Sequence, residues 1–135
     1  MIDSKNFKDY ELKKYKSSIP SDYYSNYHSK ELVNIWGNIV DWNKRRKGEN
    51  GWLLKQLKNY HAQKIFESAL GDGCDAIYLI KNGLNVLCNE IDKNFLLKAE
   101  RNAEKQGIKL KSSSVDWRKL NKKYHKNTFD AVLCL

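Results

Sequence analysis

The chain has 135 residues, enough for one domain with a modest core. Apolar residues make up 41% and charged residues 30%, the balance of an ordinary globular protein, and no apolar run approaches a membrane span. The net charge of +9 comes from lysines scattered along the whole chain rather than one block, so a solvated basic surface is the plain reading and a nucleic-acid substrate the runner-up.

The first residues, MIDSKNFKDYELKKYK, are charged and lack the apolar core of a signal peptide, so the expected compartment is the cytoplasm. Residues 1–28 show no clear period, and Pro20 with its flanking serines marks a loop. Ser29 is a helix N-cap, with Glu31 suited to the first turn. Leu32, Val33, Trp36, Ile39 and Val40 follow at helical spacing and predict one apolar face, ended by Gly48 and Gly51. Trp52, Leu53, Leu54, Leu57 and Tyr60 predict a second short helix.

The period changes at Lys64. Ile65 and Phe66 read as a short buried strand, residues 67–73 as a turn, and residues 74–82 as a helix closed by Gly83. Val86, Leu87 and Cys88 make a second strand. Asp92 caps a helix in which Phe95, Leu96, Leu97 and Ala99 are expected inside, and Gly107 ends it. Ile108 and Leu110 suggest a third strand, and FDAVLCL (residues 129–135) a fourth, almost wholly apolar. Apolar strands alternating with helices imply an α/β fold with a parallel sheet covered on both faces. The expected architecture is a Rossmann-like doubly wound sheet, cut after its fourth strand and preceded by a helical region. Residues 1–60 are expected to form a helical arm over the site, and residues 61–135 the first half of the sheet domain. Because the chain stops inside its most apolar strand, a longer parent protein is expected, with the exposed strand an aggregation hazard.

Cys74, Cys88 and Cys134 form an odd set without CxxC spacing, so reduced, partly buried thiols are expected. His28, His61 and His125 are far apart and match no metal spacing, so no metal site is expected.

The turn between the first strand and its helix reads G-x-G. Gly71 and Gly73 let the backbone approach a ligand, and the next helix offers N–H groups to an anion. Glu90 ends the second strand, 17 residues after Gly73, where a carboxylate can accept from both ribose hydroxyls of an adenosine. Spacing alone also fits G-x-G-x-x-A, so NAD competes. Against it stand Asp72 and Asp75, which oppose a pyrophosphate, and the long aromatic segment before the first strand. Glu67, four residues before Gly71, is an acidic start typical of S-adenosylmethionine sites, placed to orient the amino group of the methionine half.

FESALGDGCDAIYLIKNGLNVLCNEID resembles the first two motifs of class I S-adenosylmethionine-dependent methyltransferases. With IWGNIVDWNKR (residues 35–45), VDWRKL (residues 115–120) and FDAVLCL, the chain resembles the glycine N-methyltransferases and glycine/sarcosine N-methyltransferases over roughly residues 23–135. The resemblance implies an S-adenosyl-L-methionine cofactor and a small amine acceptor, glycine or sarcosine, in betaine synthesis or methyl-group balance. It assigns Ala69, Gly71 and Gly73 to the cofactor turn, Glu90 to the ribose, and Asp116 and Trp117 to the adenine. It assigns Arg45 to the methionine carboxylate, Trp36 to the methionine moiety, Leu135 to the start of the methyl-transfer turn and Tyr27 to an active-site tyrosine, with Tyr23 and Tyr24 as rivals. Asp72 stands where the family has threonine, a departure that predicts weaker cofactor affinity. The family's acceptor-binding residues lie past the fourth strand, so the 135-residue chain alone is expected to be inactive. The resemblance leaves room for a homo-oligomer at full length.

Overall fold

The computed structural model of the chain describes Pro20 and residues 22–135. The charged N-terminal stretch and the serines beside Pro20 lie outside the described residues. A 3-10 turn at Tyr23–Asn26 leads into helices α1 (Lys30–Ile39), α2 (Trp42–Glu49) and α3 (Trp52–Asn59). The rest alternates: β1 (Lys64–Glu67), α4 (Cys74–Lys81), β2 (Asn85–Asn89), α5 (Lys93–Glu104), β3 (Lys111–Ser113), α6 (Leu120–Lys123) and β4 (Ala131–Leu133). All strand pairs are parallel, in the order β3-β2-β1-β4. That is the order expected of a doubly wound sheet.

The core lies where α3, α4 and α5 meet the sheet. Ile65, Leu79, Cys88 and Ala99 are fully buried there, with Leu57, Val86 and Ala62 around them. Each buried aliphatic side chain contributes about 1.5–3 kcal/mol. Gly73, the N-cap of α4, has φ 90°, and a Cβ there would sit 3.2 Å from both Ala99 Cβ and Ile77 Cδ1. A side chain at this position would therefore push α4 and α5 apart as well as strain the backbone.

Several expectations are corrected. The first helix does not run to Gly48: it ends at Ile39, and Asp41 starts a new helix by accepting from Asn43 N–H (2.9 Å) and Lys44 N–H (3.0 Å). An N-cap carboxylate outweighs a continuous helical pattern here, because it satisfies amide donors that would otherwise be orphaned. Ile39 is 59% exposed and Leu97 48% exposed, so neither belongs to the inward face assigned to it. Ala103, fully buried, takes the place on α5 that Leu97 was given.

The third strand lies later than Ile108. The Ile108 N–H closes α5 by donating to Ala103 O (3.0 Å), and pairing begins only at Lys111, opposite Leu87. The strand is polar because its side chains bond to neighbouring elements: Lys111 Nζ to Asn85 Oδ1, Ser112 Oγ to Glu100, and Ser113 Oγ to Cys88 O and Asn89 Oδ1. β4 pairs with β1 alone among the described residues, and Val132 on it is 64% exposed, so this apolar strand is an edge here rather than a buried centre. Cys74 and Cys88 are buried as expected, but Cys134 is exposed. No helix among the described residues is long and apolar enough to cross a membrane.

Candidate functional site

The site is built on the carboxyl ends of β1 and β2. The chain leaves β1 at Glu67, and the Leu133 carbonyl accepts from both Ser68 N–H and Ser68 Oγ (2.8 Å each). Leu70 N–H donates to Asn89 O (3.0 Å), which ties the turn to the neighbouring strand. Gly71 has φ 55°, and nothing lies within 4 Å of the position a Cβ would take. This is the left-handed region, open on the ligand side, where glycine is the least strained residue.

Glu90 locks the turn. Its Oε2 accepts from Gly71 N–H (2.8 Å) and its Oε1 from Asp92 N–H (3.0 Å). A carboxylate has about four acceptor positions, so two remain for a ligand's hydroxyls. Burial pushes the Glu90 carboxyl above the usual range, against the pull of these two N–H groups.

Two clefts open on either side of this Gly71–Glu90 bond. The larger, about 470 Å³, is walled by Tyr24, Tyr27, His28, Glu90, Asp116 and Trp117. The smaller, about 140 Å³, is walled by Trp36, Arg45, Glu67, Ala69, Gly71 and Leu135. Every residue picked out from the sequence falls on one cleft or the other except Gly73, whose place is between α4 and α5, and Tyr23, the rival to Tyr27. Tyr27, 58% exposed, faces the larger cleft and shares no wall with Leu135.

In the smaller cleft Glu67 is 2% exposed. Its Oε1 accepts a long bond from Ala69 N–H (3.4 Å), and its Oε2 is buried without a hydrogen-bond partner among the described residues. Burial pushes its carboxyl up to about 7, opposed by the Ala69 N–H, by the nearby Leu135 N–H, which falls short of a hydrogen bond, and by the charge of Arg45. An orphaned buried carboxylate oxygen is costly unless something binds it. Arg45 is engaged: Nη2 lies 2.8 Å from Asp75 Oδ2 and Nε 3.2 Å from Oδ1. Arg46 reaches the same Asp75 carboxylate and also Glu49, so both arginines belong to one ion-pair network.

In the larger cleft Trp117 is held by its indole N–H, which donates to Ser68 O (2.8 Å), with the ring 56% exposed. Asp116 caps the short 3-10 turn at Trp117–Lys119, accepting from Arg118 N–H (2.8 Å), and pairs with the Arg118 guanidinium, which holds its carboxyl below the usual range. The loop carrying both is hung from buried Asn89. Its Nδ2 donates to Val115 O (2.9 Å), and its Oδ1 accepts from Val115 N–H and Ser113 Oγ (2.9 Å each).

Sequence reasoning missed three participants. Asn89 looks like a strand end, yet it is fully buried and positions the Asp116–Trp117 loop. Trp42 donates its indole N–H to Asp72 Oδ2 (2.9 Å), and Asp72 is 4% exposed. The departure from threonine thus has an internal partner, which ties α2 to the glycine turn. A buried aspartate in such a turn demands a donor, and that demand was the available signal. The third is His28, whose ring lines the larger cleft while it bonds Asp92.

No protein-family model matches the chain. It is 33% identical over 115 residues to the glycine/sarcosine N-methyltransferase of Parasynechococcus marenigrum strain WH8102, a match covering 85% of this chain and 40% of that protein. It is 32% identical to the enzyme of the same name from Halorhodospira halochloris, covering 85% of this chain and 42% of that one. A solved structure of a Pyrococcus horikoshii OT3 protein superposes with a TM-score of 0.64 over 78% of this chain and 47% of that one; at 24% identity this speaks to fold alone. The chain spans about two fifths of the length of the relatives it matches. Along 85% of its length, then, the chain is homologous to the glycine/sarcosine N-methyltransferases, and it carries a Rossmann-like parallel sheet with helices before it.

Proposed function

We propose that the protein is an S-adenosylmethionine-dependent N-methyltransferase of a small amine, glycine or sarcosine, with these residues supplying the cofactor side of its site. The observation that carries the reading is the pair of clefts joined at Gly71–Glu90, one aromatic and nucleoside-sized, the other small and charged. The residues fit the cofactor. The orphaned Glu67 oxygen suits an ammonium group, and the open space over Gly71 admits a ligand close to the backbone.

When bound, the cofactor supplies an electrophilic methyl group on a sulfonium sulfur. Glu67 would hold the amino group and Arg45 the carboxylate of the methionine half, with Trp36, Ala69 and Leu135 around them. Glu90 would take the ribose hydroxyls, Asp116 an amino edge of the adenine, and Trp117 its face. Tyr27 would stand at the rim. A charged group tightly held in a site screened from water serves such chemistry by position and desolvation, without a strong base. The same reading assigns the enzyme to the cytoplasm, to betaine synthesis or methyl-group balance, and to a homo-oligomer at full length. In it the described residues up to Tyr60 would act as the arm over the cofactor.

Calorimetric titration tests it. S-adenosylhomocysteine is expected to bind the chain, and to bind far more weakly after Glu90→Ala. Binding of NAD in its place would overturn the reading. Transfer of labelled methyl groups to glycine and sarcosine, measured with the whole protein, identifies the acceptor.

A further inference from the structure

At its start the N-terminal arm is tied to the sheet domain through His28, apart from the Trp42–Asp72 and arginine–Asp75 contacts further along it. The backbone N–H of His28 donates to Asp92 Oδ2 (2.7 Å), its ring Nδ1 lies 3.0 Å from the same oxygen, and its carbonyl accepts from Asn94 Nδ2 (2.7 Å). The ring is wedged edge-to-face against Phe95 and Tyr27, with centroids 5.0 Å apart in each case. Asp92 is 3% exposed, and its other oxygen caps α5 by accepting from Asn94 and Phe95 N–H. It is also bonded through its own N–H to Glu90.

This geometry decides the tautomer. An ionised carboxylate only accepts hydrogen bonds, so the nitrogen facing it, Nδ1, carries the proton. In the neutral ring Nε2 then bears a lone pair. The side chain is 34% exposed, its ring lines the larger cleft, and Nε2 has no partner among the described residues. A buried carboxylate that orients an imidazole and fixes its tautomer is the arrangement by which proteins prepare a histidine to act through its other nitrogen.

We infer that His28 is a further ligand of the nucleoside: through Nε2 it accepts a hydrogen bond from a ribose hydroxyl, on the side of the sugar opposite the Glu90 carboxylate. The inference rests on the adenosine reading of the larger cleft. It adds that the arm is part of the nucleoside pocket, because the His28 bond to Asp92 and the Glu90 bond to Asp92 share one residue. A ribose held by Glu90 and His28 would thus hold the arm closed.

The test uses His28→Asn, whose amide can still donate to Asp92 but presents nothing at the Nε2 position. Adenosine and 2′,3′-dideoxyadenosine are titrated into the full chain and the variant at mildly alkaline pH. The expected result is about fivefold to tenfold weaker adenosine binding, the worth of one hydrogen bond, with dideoxyadenosine unchanged. Equal losses for both nucleosides would show that His28 only anchors the arm, and no loss for either would also overturn the inference. In the wild-type chain labelled with nitrogen-15, the His28 Nε2 resonance is expected to move with adenosine and not with dideoxyadenosine. An identical response to both overturns the inference without any substitution. Failure of the wild-type chain to bind adenosine at all would instead remove the cofactor reading beneath it.

Discussion

The two clefts share one wall and differ in what fills them before any ligand arrives. The larger has rigid aromatic sides: Trp117 is tethered by its indole to Ser68 O, and Tyr27 packs against His28. The smaller is full of the protein's own charge. Arg45 is spent on Asp75, and Glu67 sits buried with an unpartnered oxygen. The first needs only to exclude water from a ring. The second must exchange internal ion pairs for external ones, and it gains most from a zwitterionic ligand that supplies both an ammonium and a carboxylate. On the proposed reading, affinity for the nucleoside and affinity for the amino-acid half of the cofactor therefore answer to different residues.

The largest effect expected is on stability, and it belongs to the smaller cleft. A carboxyl with a folded pKa of about 7 keeps its proton where the unfolded chain has lost it. Stability therefore falls as pH rises from about 4.5 to about 7 and stays lower above that, by on the order of 3 kcal/mol. Glu67→Gln should flatten this dependence and raise the unfolding temperature of the ligand-free chain at alkaline pH. A wild-type stability curve level across that window would mean that Glu67 is not the buried charge described.

Next comes the shared wall. Glu90→Ala removes the acceptor of both Gly71 N–H and Asp92 N–H, along with the proposed ribose contacts. S-adenosylhomocysteine and adenosine should both lose about 100-fold in affinity, since charge-assisted bonds are worth about 1.5–3 kcal/mol. A loss confined to one ligand would separate the clefts more sharply than their geometry does.

Arg45→Ala should distinguish them. S-adenosylhomocysteine is expected to bind about tenfold more weakly, while adenosine is unaffected. Equal weakening of both in calorimetry would assign Arg45 a structural role through Asp75. The smallest effect concerns a contact behind the smaller cleft, whose wall Asp72 joins. Trp42→Phe strips Asp72 of its indole donor, and a loss of about 1 kcal/mol in chemical denaturation is expected from the unsatisfied carboxylate, with little change in affinity. A large drop in affinity would instead place Asp72 among the ligand contacts.

How much of this was legible beforehand depends on the range of each signal. The glycine turn, Glu90 and the apolar strands β1, β2 and β4 are local patterns, and they appear where period and spacing put them. The helix break at Asp41 was legible in principle, because an aspartate after a β-branched pair is a cap signal. It was masked by the helical spacing that runs across it. The displaced third strand was not legible. Its residues, Lys-Ser-Ser, are polar because Ser113 answers to Asn89 and Cys88 on a neighbouring strand, a demand that does not exist until the sheet is assembled.

By itself, then, the sequence determined the alternation of strands and helices, the turn's glycines and the place of the Glu90 carboxylate beside them. Those depend on backbone sterics and on contacts a few residues apart. Only the tertiary structure decided that Asp75 neutralises Arg45, that Trp42 satisfies Asp72, and that Asp92 orients His28. These partners are 30, 30 and 64 residues apart, and a buried charge selects its partner by proximity in the folded chain, which no spacing rule encodes.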